Sequence, residues 1–166
     1  MTNSVCFIGH RTIIEPEKIK SLLLINLTEL IELGKTNFIF GDHSAFDSLC
    51  YDTVSELKEI YPHIQRIKYR TNYPEIRESS MVYFLKGYEK GICPEGVDKA
   101  GRASYVMRNQ AMIQSSEICV FYYNPEYRPA RKSLSHNQSK SGTQIAFDYA
   151  KSQHKQIVNI FELAQE

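Results

Sequence analysis

Four short stretches of the chain carry side chains able to hold an anion. Gly9-His10-Arg11-Thr12 sets a guanidinium and an imidazole beside a glycine that lets backbone approach a ligand. A turn glycine followed by a solvated arginine is the plainer reading, and the G-x-G-x-x-G spacing of a dinucleotide fingerprint is missing. Gly41-Asp42-His43-Ser44-Ala45-Phe46-Asp47 leads a glycine and small polar residues into a helical pattern, where free N–H groups can take an anion or a ribose hydroxyl. Ser44 and Asp47 are also spaced as an N-cap and its N3 carboxylate, so capping and ligand binding both remain open for them, whereas capping does not explain Asp42. Arg108-Asn109 sits beside the apolar face of a third helical segment, so Arg108 is either a crevice residue or a solvated helix arginine. Ser141-Gly142-Thr143, preceded by Lys140, reads as a helix start with donors for a phosphate, or as a surface loop with a serine cap.

Other chemistries find less support. The five histidines and the cysteines Cys6, Cys50, Cys93 and Cys119 lack metal-ligand spacing and form no C-x-x-C, so neither a metal nor another cofactor is expected. Three of those cysteines sit in apolar segments, as buried free thiols do in a reducing compartment. Twenty Lys and Arg against nineteen Asp and Glu leave a formal charge of +1, which gives no global pull toward nucleic acid or an anionic membrane. Basic charge gathers in one loop instead, with Arg128, Arg131, Lys132 and Lys140 against Glu126, enough for a weak DNA patch at most. With no signal-peptide layout and no apolar run near the roughly 20 residues that span a bilayer, the expectation is a cytoplasmic protein with no membrane partner. Tyr69, Tyr73, Tyr83 and Tyr88 lie in or beside an irregular stretch, where a ring can stack on a base or pack in the core.

The elements that position these turns follow from hydrophobic periodicity. Short apolar runs at 5–8, 38–40, 64–69, 118–122 and 157–161 read as five strands. Helical spacing opens at Pro16 and stops at Gly34, resumes from Phe46 to Pro62, and returns at about 102–115 and 141–154. Residues 71 to about 101 are broken by glycine and proline and read as an irregular insertion with one short helix. Strands apolar throughout are buried on both faces. The expected fold is therefore α/β: a single domain over 1–166, a Rossmann-like three-layer sandwich with a mainly parallel five-stranded sheet. Such sheets bind ligands outside the carboxyl ends of their strands, where the strand order reverses, and all four stretches fall at those ends or in a crossover beside them.

With these turns placed, the chain resembles the SLOG superfamily, the Rossmann-like group that contains the lonely-guy phosphoribohydrolases and the DprA proteins, and within it the YpsA-like branch. The likeness is carried by Cys6-Phe7-Ile8-Gly9-His10-Arg11, by Gly41 with Ala45-Phe46-Asp47, by Arg108-Asn109 with Met112, and by Ser141-Gly142-Thr143 followed by Tyr149-Ala150. It implies a nucleotide or nucleotide-derived ligand, with phosphate at Gly142-Thr143 and the sugar or base toward Gly41 and Asp47. Analogy with the family also implies a homo-oligomer.

In the phosphoribohydrolase branch an arginine in R-K-x-x-M and a glutamate in P-G-G-x-G-T-x-x-E cleave a base from a nucleoside monophosphate. Arg108 to Met112 matches the first motif apart from Asn109, but no P-G-G precedes Gly142 and Ala146 occupies the glutamate position. An oxocarbenium-like transition state without its carboxylate loses orders of magnitude in rate. Asp47, Asp42 or Asp148 would have to replace it. The expectation is thus a binding module that senses or sequesters a nucleotide, with an N-glycosidase using Arg108 and Asp47 as the alternative and weak DNA binding as a third reading.

Overall fold

The computed structural model describes residues 3–41, 44–72, 86–128 and 140–166. Six strands, β1 (Ser4–Gly9), β2 (Asn37–Phe40), β3 (Gln65–Tyr69), β4 (Lys90–Ile92), β5 (Ile118–Tyr122) and β6 (Gln156–Asn159), form one sheet in the order β4-β3-β2-β1-β5-β6. Every pairing in it is parallel, with Cys6 in register with Ile39 on one side and Cys119 on the other. The α-helices of the described residues are α1 (Pro16–Glu32), α2 (Ala45–Ile60), α3 (Ser104–Gln114), α4 (Gly142–Ser152) and α5 (Ile160–Ala164).

Alternation along each strand divides the core into two layers. Val5, Phe7, Phe38, Phe40 and Val120 face α1, α2 and α5, where Leu23, Leu27, Phe46, Val54 and Ile160 meet them. Cys6, Ile8, Ile39, Ile67 and Phe121 face the opposite way, onto Met112 and Ile113 of α3 and Ala146 and Ala150 of α4. Burial on both faces explains strands that are apolar at successive positions, and the result is the three-layer Rossmann-like sandwich.

Two features differ from the sequence expectation. The sheet has six strands, not five, because Lys90-Gly91-Ile92 inside the irregular insertion adds an edge strand beside β3. Three residues with a single large apolar side chain give no hydrophobic run to read. Polar contacts dock this edge: Glu89 N–H donates to Arg66 O (2.9 Å), Arg70 N–H donates to Ile92 O (2.7 Å), and the Glu89 carboxylate accepts from the Arg66 guanidinium at 2.8 and 3.2 Å. The rest of the described insertion holds two 3-10 turns, Val97–Lys99 and Gly101–Ala103, and residues 73–85, the remainder of the stretch in which one short helix is expected, lie outside the described residues. The last apolar run also divides: β6 ends at Asn159, whose side-chain oxygen accepts from Phe161 N–H and starts α5, so Phe161 is helical. Tyr69 and Tyr88 pack in or against the two core layers, while Tyr73 and Tyr83 lie outside the described residues.

Partial burial alone would raise the Glu89 carboxyl, but hydrogen bonds and charge from Arg66 outweigh it and hold the group below the ordinary carboxylate range. Glu89→Ala is expected to lower stability by about 1–2 kcal/mol, the worth of a charge-assisted pair. Urea denaturation measures this, and an unchanged midpoint would show that β4 does not depend on the pair.

Candidate functional site

The strand order reverses at β1, which has β2 on one side and β5 on the other. A cavity of about 620 Å³ opens at the carboxyl ends of these strands. All four stretches singled out from the sequence line it, and of the expected ligand-binding residues only Asp42 is missing, because it lies outside the described residues. Residues 9–12 and 141–143 therefore share one cavity.

The first turn is built for packing as much as for binding. A Cβ on Gly9 would stand 2.6 Å from Cγ of Phe46, so the missing side chain is what seats the first turn of α2 against the end of β1. Arg11 O then accepts from Ala45 N–H at 3.0 Å, which ties the loop to that helix start, and the Arg11 side chain stays exposed at the rim. His10 is 2% exposed. Its Nε2 accepts from Asn124 N–H at 2.9 Å, and its ring stacks on Tyr127 with centroids 4.0 Å apart and planes 20° off parallel. Burial pushes its pKa down to about 4, so His10 is a neutral anchor of the loop after β5 and brings no positive charge to the cavity.

The second turn resolves toward capping. Ser44 Oγ accepts from Asp47 N–H at 3.0 Å and donates to Asp47 Oδ2 at 2.9 Å. With Ala45 N–H held by Arg11 and a carboxylate beside it, the start of α2 does not favour an anion. Asp47 is nevertheless the one carboxylate lining the cavity among the described residues. Gly41 serves the guanidinium opposite: a Cβ there would meet Met112 Sδ at 2.9 Å and Arg108 Nε at 3.2 Å. Arg108 is 5% exposed, within hydrogen-bond reach of Asn109 Oδ1 (3.1 Å from Nη2) and set over the Tyr105 ring. It is a crevice residue.

The start of α4 contrasts with that of α2. Ser141 Oγ caps it by accepting from Gln144 N–H at 3.1 Å, and Ser141 O accepts from Ile145 N–H. The N–H groups of Gly142 and Thr143 have no hydrogen-bond partner among the described residues, as expected for the first turn of a helix. A Cβ on Gly142 would meet nothing within 4 Å among the described residues, and Ser141, Gly142 and Thr143 all line the cavity. Lys140 also lines the cavity while pairing with Asp148 at 3.0 Å on the exposed face of α4. That pairing turns Asp148 outward, and Ala146 is buried in the sheet-facing layer. Among the described residues Arg11, Arg108 and Lys140 thus stand against Asp47 in the lining, a positive balance once His10 is neutral.

The sequence reading overlooked Tyr127. Its signal was the preceding Asn124-Pro125, because Asn at the first and Pro at the second position of a turn fold the fourth residue back. Tyr127 N–H donates to Asn124 O at 3.0 Å and closes that turn. In the same loop Arg128 is spent on its own carbonyls, Pro125 O (3.1 Å) and Tyr127 O (3.0 Å), and Arg131 and Lys132 lie outside the described residues. Among the described residues no cluster of His, Cys, Asp and Glu is placed to hold a metal ion, and no helix is long and apolar enough to cross a membrane.

No protein-family model matches the chain, and no curated protein sequence matches it.

Because His10 is neutral when folded and basic when unfolded, the unfolded chain binds the extra proton between about pH 4 and 6.5. Stability is therefore full above pH 6.5 and falls as pH drops toward 4, by up to about 3 kcal/mol from this group. Chemical denaturation of the wild type and His10→Gln across that range should give a shallower slope for the variant. Identical slopes would contradict a buried neutral His10.

Proposed function

We propose that the cavity binds a nucleotide or nucleotide-derived molecule, with its phosphate at the start of α4 and its sugar toward Asp47 and Ser44, so that the protein senses or sequesters that molecule. One observation carries the reading: two N–H donors at a helix start, without a hydrogen-bond partner among the described residues, belong to a cavity whose described lining is net cationic. The helix dipole adds to the same effect. Of the three cations in the described lining, Arg108 is the buried one and therefore weakly screened. The cavity volume falls within the usual 300–1,000 Å³ of small-molecule sites. The motif likeness to the SLOG superfamily and its YpsA-like branch points to the same ligand class and is part of this proposal.

A second reading, release of the base by N-glycosidic cleavage, is favoured by the presence of Asp47 and Arg108 in the same lining. Ala146 leaves no carboxylate on α4 in that layer, so Asp47 would have to stabilise the oxocarbenium-like state. Binding ranks first because Asp47 is already engaged in the cap of α2.

Thermal denaturation against a panel of nucleoside mono- and diphosphates and ADP-ribose tests both readings. A true ligand at a hundredfold excess over its Kd should raise the melting temperature by roughly 5–10 °C. Gly142→Asp places a carboxylate at the open helix start, where it suits the dipole but repels phosphate. The variant should fold with an unchanged or higher melting temperature and lose the ligand shift. Equal shifts in both proteins would remove phosphate from the start of α4. Free base released from the same mixtures, and abolished by Arg108→Ala, would promote the enzyme; an intact ligand alongside a clear shift would retire it.

A further inference from the structure

Tyr127 belongs to neither core layer, yet its loop is built to hold it still. Asn124 N–H is fixed by His10 Nε2, Asn124 Oδ1 accepts from Glu126 N–H at 2.9 Å, Tyr127 N–H closes the turn on Asn124 O, and Arg128 clamps two of the loop's carbonyls. The ring lies nearly parallel to the His10 imidazole at 4.0 Å and lines the cavity. His10 itself is 2% exposed, and Phe7, the remaining aromatic ring of the lining among the described residues, is fully buried. Among the described residues Tyr127 is thus the half-buried aromatic ring of the lining, stacked on one face against a neutral imidazole. A braced, preordered ring costs little entropy when a second flat group stacks on it.

From this geometry we infer that Tyr127 is the stacking platform for the planar base of the ligand and makes the cavity select a nucleotide over the bare sugar phosphate. His10 is its positioning residue, acting through Tyr127. The inference rests on the phosphate-binding reading above and adds the group that recognises the other end of the ligand. Polar sugar hydroxyls suit Ser44, Asp47 and Asn109, whereas a flat heteroaromatic ring finds its matching surface at Tyr127.

Affinities of the four nucleoside 5′-monophosphates and of ribose 5-phosphate, measured by calorimetry for the wild type, Tyr127→Ala and Tyr127→Trp, decide the matter. At least one nucleotide should bind the wild type more tightly than ribose 5-phosphate. Tyr127→Ala should weaken that nucleotide about tenfold or more while changing ribose 5-phosphate less than twofold. The chain has no tryptophan, so Tyr127→Trp introduces a single tryptophan, excitable apart from the tyrosines, at the proposed contact. Its emission should respond to the nucleotide and not to ribose 5-phosphate, and this readout stands alone if the alanine variant does not fold. Equal weakening of both probes, or a tryptophan indifferent to the nucleotide, overturns the stacking role and leaves phosphate binding intact. Failure of every probe to bind the wild type overturns both.

Discussion

The central constraint is the placement of β1 between β2 and β5. Because the chain leaves β2 for a helix on one face of the sheet and leaves β5 for a helix on the other, the starts of α2 and α4 stand on opposite sides of the end of β1. A gap at that point is a geometric consequence of parallel pairing with the order reversed. What fills its walls is then decided by a few close contacts. Gly9 brings α2 against β1 through Phe46, and Gly41 brings α3 close enough for Arg108 to enter from the far side. Both glycines work through the side chain they lack, and neither has a positive φ.

The two helix starts that flank the gap have been given opposite electrostatic roles. At α2, Ser44, Asp47 and the carbonyl of Arg11 use up donors and add a negative charge. At α4 the cap is a serine alone, the next residue is a glycine with open space beside it, and no acid lies in the first turn. A dipolar ligand with an anionic end and a hydroxyl-rich end matches that asymmetry. The cations Arg11 and Lys140 lie toward solvent, where their attraction is screened, while Arg108 acts from inside the wall.

Much of this was legible before any coordinates. Strands β1, β2 and β5 announced themselves because burial on two faces demands apolar residues in succession, and the turns after β1 and β2 were readable as glycine and small polar residues. The edge strand at Lys90–Ile92 was not legible, since its place is set by an ion pair between Glu89 and Arg66, residues 23 apart in the chain. The state of His10 was hidden for a similar reason: an imidazole beside an arginine looks cationic in one dimension, and only its burial against Tyr127 makes it neutral. Ser44 and Asp47 carried two readings in sequence, and their mutual hydrogen bonds establish capping while leaving both in the cavity wall.

Backbone amide resonances offer the most direct view of the central claim, that an anionic end of the ligand sits on the start of α4. Titration of the isotopically labelled protein with the tightest-binding nucleoside monophosphate should shift the amides of Gly142 and Thr143 more strongly than those of Ala45 and Asp47, whose N–H groups are already engaged. Saturable shifts confined to residues outside the cavity, or none at Gly142 and Thr143, would contradict the account.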